Sequence, residues 1–348
     1  MVETLEKPEI EISPEPLYQL ALGFAATKTL LVAQSLGFFS ALENEPKSAV
    51  QIADEKTLPI STTELLLDTC VSLHLCEKNG DLYSNTAVAQ RYLIPGRRGY
   101  LGRFLEHFNE HMYPAWLHLE EAVKTGKAQI QQVVGDKQDH FFQAIDRQKH
   151  DLETFMQTME EHSLLEGDAL AQTYDFSSHH QLLDVGGGTG AMSVAILQRH
   201  PHLRSILFDR PPVCEIARRS IARHGLSDRI QAIPGDFFKG PLPDSADVVM
   251  LSAILHNWSP DHARAILKQC SQAMAPGATL LISEQVLTDE KTGPALATLC
   301  SLNMLVMLGG AREYSRAEFE SMLASTGFRL ENVQSTGGFR QLLTARKL

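Results

Sequence analysis

One stretch of the sequence decides the fold: Leu182-Leu183-Asp184-Val185-Gly186-Gly187-Gly188-Thr189-Gly190. Its apolar first half predicts a buried strand. Its glycines predict a turn in which backbone at positive φ can approach a ligand closely. Residues 191–200 have helical spacing, and the N-terminus of a helix offers unpaired N–H groups to a ligand. A strand, a glycine-rich turn and a helix in this order predict a nucleotide-binding unit.

Outward from this turn, short apolar segments alternate with helical stretches through the C-terminal half. The predicted strands cover residues 182–185, 205–208, 230–233, 247–251 and 279–283. Such alternation predicts an α/β fold, a Rossmann-like, doubly wound parallel sheet with helices on both faces. The end of the chain differs, because 328–333 and 339–345 flank Gly337-Gly338 and predict an antiparallel hairpin.

Residues 17–93 have mostly helical spacing and predict a mainly α domain. Ser48 predicts the N-cap of a short helix. The run Ser61-Thr62-Thr63-Glu64 predicts a capping box that opens a helix over 65–75. Asn79-Gly80 predicts a tight turn before a short strand. Three helices followed by a small hairpin predict a winged-helix domain.

The remaining segments complete the predicted organisation. Residues 1–16 hold five Glu and predict a mobile leader. Residues 94–180 are helical and rich in aromatic side chains, and they predict a linker region that contributes to a ligand pocket. Residues 181–348 form the predicted ligand-binding domain.

The composition is that of a two-domain globular protein. The chain has 348 residues, 43% of them hydrophobic and 21% charged, which favours a packed core and excludes a disordered or collagen-like chain. The formal net charge is −11, and residues 1–100 carry eight Lys and Arg against 13 Asp and Glu. This acidic balance makes nucleic acid an unfavourable partner. The five cysteines are scattered without CxxC spacing, so we expect no disulfide framework.

The sequence shows no targeting or membrane segment. Its first residues lack the basic and apolar regions of a signal peptide, and no apolar run reaches the roughly 18 residues that span a bilayer. We therefore expect a cytoplasmic protein with reduced thiols and no membrane partner.

Acidic residues accompany three of the predicted strands. Asp184 lies just before the glycine turn, where a carboxylate can meet a cationic amino group. Asp209 ends the next strand, 25 positions later, and can bind ribose hydroxyls. Asp236 and Phe237 follow the third strand and suit the amine and the face of an adenine.

The glycine turn alone does not decide which nucleotide binds. Gly186-x-Gly188-x-x-Ala191 and a later acid also fit the NAD-binding turn of dinucleotide enzymes. The final hairpin is atypical of a dinucleotide domain. The order of the motifs DVGGGTG, FDR and GDFF resembles that of class I S-adenosylmethionine-dependent methyltransferases, which implies S-adenosylmethionine as the cofactor. The residues that this resemblance implies for cofactor binding are Asp184, Gly186, Gly188, Gly190, Asp209, Asp236 and Phe237.

A histidine follows the fourth predicted strand, in Leu255-His256-Asn257-Trp258-Ser259. The carboxyl ends of such strands form the ligand edge of the sheet, and an imidazole suits a general base near neutral pH. The segment is similar to the LHDW signature of the small-molecule O-methyltransferases of the plant caffeate and animal acetylserotonin type. The similarity covers nearly the whole chain. It implies a dimerisation domain at 17–93, which pairs with its twin in a homodimer, and a catalytic domain at 181–348.

The resemblance also implies the chemistry. It implies methylation of a hydroxyl on a small aromatic or conjugated natural product, with His256 as the general base and Glu284 and Glu313 as flanking carboxylates. No metal is expected, because HExxH and paired CxxC patterns are lacking. Three positions depart from the family. Asn257 replaces the usual Asp, Ser252 stands where Lys or Arg is frequent near the cofactor, and Tyr314 replaces the Arg that follows the second glutamate.

Acceptor-facing residues are expected from the helices before residue 181 and from 296–308. Aromatic rings and thioethers there suit a flat conjugated acceptor. The predicted substrate-binding residues are Phe142, Met156, His162, Asn303 and Met307, with Phe155, Met159 and Met304 as further candidates. His107, His111 and His118 lie on one helical stretch and predict a solvated face rather than a metal site.

Three other functions stay open on the sequence alone. The glycine turn also fits an NAD-dependent oxidoreductase. The N-terminal outline also fits a winged-helix DNA regulator with a ligand-sensing domain, although its acidic charge disfavours DNA. A methyltransferase scaffold with altered chemistry, such as N- or C-methylation, is the third, and His256 favours a hydroxyl acceptor over it.

Overall fold

The computed structural model describes residues 12–135, 149–244 and 246–348. The chain divides into two units between Arg97 and Arg98. None of the helices in the described residues is long and apolar enough to cross a bilayer.

The first unit is helical with one small sheet. Its helices are α1 (Glu15–Ser35), α2 (Phe38–Ala41), α3 (Ala49–Lys56), α4 (Ile60–Ser72) and α5 (Ala87–Tyr92). Its strands are β1 (Lys47–Ser48), β2 (Cys76–Asn79) and β3 (Leu82–Asn85), which form an antiparallel sheet in the order β1-β3-β2. The hairpin predicted at Asn79-Gly80 is confirmed, since Gly80 supplies a φ of 59° between β2 and β3.

Helix starts in this unit follow two different signals. Ser48 caps α3 as the sequence predicted, and the structure shows that the cap is a capping box with Gln51. The capping box predicted at Ser61 is wrong, because α4 already begins at Ile60, directly after Pro59. Helix α1 includes residues 15 and 16 of the predicted leader, because proline is tolerated in the first turn of a helix.

The second unit contains the large sheet. Its helices are α6 (Gly102–His107), α7 (Tyr113–Trp116), α8 (Leu119–Thr125), α9 (Gln131–Val134), α10 (Lys149–Thr173), α11 (Ala191–Arg199), α12 (Pro211–Arg223), α13 (Pro260–Ala273), α14 (Ala295–Leu308) and α15 (Arg316–Ser325). A π-helical turn (Phe108–Met112) joins α6 to α7, and a 3-10 turn (Leu255–Asn257) precedes α13. Its strands are β4 (Gln181–Val185), β5 (Arg204–Asp209), β6 (Ile230–Pro234), β7 (Val248–Ser252), β8 (Thr279–Glu284), β9 (Val286–Leu287), β10 (Tyr314–Ser315), β11 (Phe328–Ser335) and β12 (Gln341–Lys347).

Seven of these strands form one sheet in the order β11-β12-β8-β7-β4-β5-β6. Strands β4 to β8 are parallel, whereas β12 runs antiparallel to both β8 and β11. The predicted Rossmann-like sheet with a C-terminal antiparallel hairpin is therefore confirmed. Strand β4 lies between β5 and β7, so the strand order reverses beside the glycine turn, and such a switch point is where open α/β sheets bind ligands.

Helix α10 packs very closely against α11. A Cβ at Gly167 would lie 2.7 Å from the Cβ of Ala195, so only glycine allows this approach. Side chains from α10 and α11 share one buried cluster with β4 and β7. This packing fixes α10 beside the carboxyl edge of the sheet.

Candidate active site

The glycine turn presents its backbone to a cavity of about 1030 Å³. Gly186 has a φ of 73°, and a Cβ there would overlap Ile254. Gly188 has a φ of 58°, yet a Cβ there would meet nothing within 4 Å. The turn is thus closed on its inner side and open at Gly188. Gly190, the last glycine of the predicted set, packs against Leu207 and Ile221 and does not line the cavity.

The first acid of the predicted set lies beneath the turn. Asp184 is 1% exposed, and its Oδ2 accepts a hydrogen bond of 2.7 Å from the Ser193 hydroxyl. Burial raises the pKa of Asp184 to about 7. Its carboxyl group lies below Gly187, where an added Cβ would be 2.8 Å from Asp184 Cγ. Asp184 thus supports the turn and borders the cavity.

The second acid joins the turn to the neighbouring strand. Asp209 Oδ2 accepts from the Gly188 N–H at 2.9 Å, and Oδ1 accepts from the Arg210 N–H at 2.7 Å. Farther along the edge, Asp236 forms an ion pair of 2.9 Å with Lys239 and accepts from the Phe238 N–H at 2.9 Å. Both carboxylates line the cavity.

Aromatic rings close this end of the cavity. The rings of Phe237 and Trp258 meet edge to face, with centroids 6.0 Å apart. Phe238 lies between them, with its centroid 4.8 Å from that of Phe237 and 4.7 Å from that of Trp258. The Phe237 ring therefore has a fixed orientation on the cavity wall.

The imidazole of His256 faces two buried carboxylates. Nδ1 lies 2.8 Å from Glu313 Oε1 and 3.6 Å from Glu284 Oε2. The two glutamates are 1% and 0% exposed, whereas the imidazole keeps 15% of its surface. Because Nδ1 points at the carboxylates, Nε2 on the other side of the ring is the nitrogen that can serve the cavity.

The chain brings this triad together from three elements. His256 lies on the 3-10 turn after β7, Glu284 ends β8, and Glu313 immediately precedes β10. Glu284 Oε1 accepts from the N–H groups of Ile254 and Leu255 at 2.9 and 2.8 Å, which anchors the turn that carries the imidazole.

The charges of the triad favour a protonated imidazole. Burial alone would lower the pKa of His256, but the carboxylates of Glu284 and Glu313 outweigh burial and raise it to about 9. Burial also raises the pKa of Glu284. The site can therefore receive a proton at the imidazole and hold it there.

Strained backbone precedes the imidazole. Ala253 has a φ of 53°, which side-chain-bearing residues rarely adopt. The Asn257 amide donates to the Ala253 carbonyl at 2.8 Å and so holds the turn closed. Such strain is maintained where surrounding contacts fix a functional group.

The predicted acceptor-facing residues converge on the other end of the cavity. Those that line it are Met156, His162, Asn303 and Met307, together with Phe155, Met159 and Met304. Phe142 lies outside the described residues. The His162 ring stacks on Phe104 with centroids 5.1 Å apart, and burial lowers its pKa to about 3. Asn303 Oδ1 accepts from the Trp116 indole N–H at 2.9 Å.

Several residues that line the cavity were not predicted from the sequence. The solvated face predicted for the three histidines is wrong for His107, which is 8% exposed, lines the cavity and has a pKa lowered by burial to about 4. Phe104 and Phe108 line it as well, and their four-residue spacing on one helix face was the available signal. Arg340, just before β12, also reaches the cavity, and no motif marked it.

The triad is also the one group of His, Cys and acidic side chains in the described ranges whose donor atoms are close enough together to hold a metal ion. These atoms lie within 4.8 Å of one another. The His256–Glu313 contact of 2.8 Å is a hydrogen bond, however, and it occupies the ring nitrogen that would face the ion.

Comparisons with known proteins match both units. The model of an O-methyltransferase dimerisation domain matches residues 18–95, and that of an O-methyltransferase domain matches residues 116–329. A 3-hydroxy-5-methyl-1-naphthoate 3-O-methyltransferase of Streptomyces sahachiroi is 37% identical over 92% of this chain and 91% of its own. Acetylserotonin O-methyltransferase of Bos taurus is 34% identical over 95% and 97%. Human N-acetylserotonin methyltransferase, solved in complex with S-adenosylmethionine, superposes with a TM-score of 0.88 at 30% identity, covering 98% and 99% of the two chains.

Proposed function

The chain belongs to the S-adenosylmethionine-dependent O-methyltransferase family, and on that premise we propose that it methylates a hydroxyl group of a small aromatic or conjugated acceptor. Family membership favours methyl transfer over the hydride transfer that the glycine turn alone left open. The named relatives act on a hydroxynaphthoate and on acetylserotonin, which are hydroxylated aromatic ring systems.

The residues around the glycine turn fit the cofactor. The open backbone at Gly188 and the carboxylate of Asp209 are suited to the amino-acid and ribose parts, and the ring of Phe237 offers a face for adenine. S-adenosylmethionine supplies a methyl group on a sulfonium, which needs no metal to leave. The cavity, at about 1030 Å³, is large enough for a cofactor and an aromatic acceptor together.

His256 is the proposed general base. A neutral imidazole that donates its Nδ1–H to Glu313 presents an unprotonated Nε2 to the acceptor hydroxyl. As the acceptor oxygen attacks, Nε2 takes its proton, and the two carboxylates stabilise the imidazolium that results. A base of this kind contributes about 10²–10⁴ to the rate. The 2.8 Å contact between His256 and Glu313, at the cavity that the glycine turn borders, carries this proposal.

The apolar and aromatic side chains at the acceptor end of the cavity support an aromatic substrate. Thioethers from Met156 and Met307 and the stacked ring of His162 suit a flat conjugated molecule. The direct test incubates the enzyme with S-adenosylmethionine and a panel of phenols, naphthols and hydroxyindoles, with the methylated products read by mass spectrometry. Methylation of aryl amines or carbons in place of every hydroxyl would refute the proposal.

Metal independence is part of the proposal. We expect dialysis against EDTA to leave kcat unchanged, because His256 Nδ1 already shares a hydrogen bond with Glu313. Added Mg²⁺ or Zn²⁺ should not raise the rate of the EDTA-treated enzyme. A loss of activity that one of these ions restores would overturn this part of the proposal.

A further inference from the structure

Of the cationic side chains that line the cavity, Arg210 and Lys239 lie beside the carboxylates of Asp209 and Asp236, whereas Arg340 lies at the other end. The guanidinium of Arg340 donates a hydrogen bond of 3.2 Å from Nη1 to the Ser252 hydroxyl. Within residues 12–135, 149–244 and 246–348 it forms no ion pair with a carboxylate. A guanidinium carries five N–H donors, so most of its donors have no acceptor among the side chains and backbone groups of the described chain.

The backbone beneath Arg340 is held rigidly. The buried carboxylate of Glu166, on α10, accepts from the N–H of Phe339 at 2.7 Å and from that of Arg340 at 3.1 Å. The Thr336 hydroxyl donates to the Arg340 carbonyl at 2.9 Å, and the Gln285 amide donates to the Phe339 carbonyl. The start of β12 therefore presents the guanidinium to the cavity from a fixed position, which lowers the entropic cost of binding an anion.

The side chains around Arg340 leave it without a dedicated counter-charge. His162 is a neutral neighbour, since burial and then the positive charge of Arg340 lower the pKa of its imidazole to about 3. Glu284 acts on Arg340 only through space, and its Oε2 faces His256 at 3.6 Å. The Glu284 carboxylate therefore also interacts with the His256 imidazole and is not a counter-charge for Arg340 alone.

We propose that Arg340 binds the carboxylate of a small molecule held in the cavity. The planar fork of N–H donors matches a carboxylate in two parallel hydrogen bonds, and Ser252 keeps the fork in place. Two sources share this chemistry: the amino-acid end of the methyl donor, and an acceptor that is an aromatic hydroxy acid. The inference rests on the proposed function, because that function puts both molecules in this cavity.

The test compares Arg340→Gln and Arg340→Lys with the wild type by isothermal titration. One arm titrates S-adenosylhomocysteine against 5′-methylthioadenosine, which lacks the amino-acid end. The other arm titrates hydroxynaphthoates and the matching naphthols into protein saturated with S-adenosylhomocysteine. Arg329→Gln is the matched control, because it removes an exposed arginine from the same hairpin.

If the acceptor supplies the carboxylate, Arg340→Gln should weaken hydroxynaphthoate binding at least about tenfold and leave naphthol binding unchanged. If the donor supplies it, Arg340→Gln should weaken S-adenosylhomocysteine by a similar factor and leave methylthioadenosine unchanged. In both cases Arg340→Lys should recover part of the affinity, and thermal unfolding should show both variants folded. Equal loss for the acid and its uncharged counterpart in each arm, or no loss in either, would overturn the proposal.

The two proposals fail separately. Wild-type protein that binds these carboxylates through Arg340 but methylates no hydroxyl would refute the proposed function and leave the carboxylate site standing. Wild-type protein that methylates naphthols while Arg340→Gln binds every ligand normally would do the reverse.

Discussion

Burial and the two neighbouring carboxylates act in opposite directions on the pKa of His256. Burial favours the neutral ring, whereas Glu313 at 2.8 Å and Glu284 at 3.6 Å favour the imidazolium. The carboxylates prevail in the free enzyme. The proposed base is therefore backed by groups that would stabilise its protonated form, and the same groups keep it protonated at neutral pH.

Replacing His256 by alanine should lower kcat by about 10²–10⁴ with a naphthol or phenol acceptor, because the proton then has no positioned acceptor. The dissociation constant for S-adenosylhomocysteine should stay within about twofold of the wild type. Turnover is read by mass spectrometry and affinity by calorimetry. Unchanged kcat in the His256→Ala enzyme would eliminate the imidazole as the base.

The pH profile of kcat/KM should rise with a midpoint near pH 9 and level off only above it, because only the unprotonated imidazole can accept a proton and its pKa is raised to about 9. Glu313→Gln removes one of the carboxylates that raise this pKa, so its ascending limb should move to lower pH. Glu331→Gln, on the outer strand β11, is the control and should leave the limb in place. A limb that stays at the wild-type pH in Glu313→Gln would contradict the assignment.

Residues at strand ends were predictable, whereas residues on the cavity wall were largely not. His256 and Asp209 stand at the ends of apolar strands whose carboxyl ends must share one edge of the sheet. Their positions along the chain were therefore sufficient to predict that they lie at the ligand edge. Arg340 approaches the same edge from an antiparallel hairpin, and the residues next to it in the sequence form no motif that predicts this position. His107 depends on which face of a short, irregular helix turns inward, and the π-helical turn that follows it interrupts the regular spacing.

At the scale of elements, the turn between β4 and α11 is tightly constrained. Gly186 cannot take a side chain without overlapping Ile254, and its φ of 73° disfavours one regardless of space. Ile254 itself lies on the turn that carries the imidazole. The glycine turn and the turn that carries His256 therefore lie directly against each other.

Gly186→Ala should weaken S-adenosylhomocysteine binding about tenfold or more, because an added methyl group must displace either the glycine turn or Ile254. Calorimetry well below the midpoint of thermal unfolding gives the measurement. Gly240→Ala, where a Cβ would meet nothing within 4 Å, should bind like the wild type. Wild-type affinity in Gly186→Ala would show that the turn is not the cofactor cradle.

Strands were predicted within about two residues, and helix starts less well. The strands β4 to β8 are short, apolar and bounded by turns, so burial alone defines them. Helix α4 shows the limit, since Pro59 fixes the chain at the helix start and a plausible capping sequence then lies inside the helix. Competing local signals of this kind are resolved only by packing.

For the whole molecule, the first unit has apolar surface to cover. Leu17, Leu20 and Phe24 on α1 are 69%, 78% and 62% exposed in the single chain, and their spacing places them on one face. Residues 18–95 match a dimerisation domain, so a second copy of the chain is the proposed cover.

The protein should sediment as a dimer, and Leu20→Glu combined with Phe24→Glu should shift it towards monomer, because two charges would be buried in an apolar contact. Analytical ultracentrifugation over a range of concentrations measures the shift. Leu348→Glu, at another exposed leucine, should remain dimeric. A monomeric wild type at micromolar concentration would exclude the homodimer.

Glu166 recognises peptide N–H groups at the start of β12, not the side chains attached to them. The identity of residues 339 and 340 is thereby uncoupled from the course of the main chain. Other side chains at these positions would keep the hydrogen bonds to Glu166, but they would lose the contact of Phe339 with His162 and that of Arg340 with Ser252.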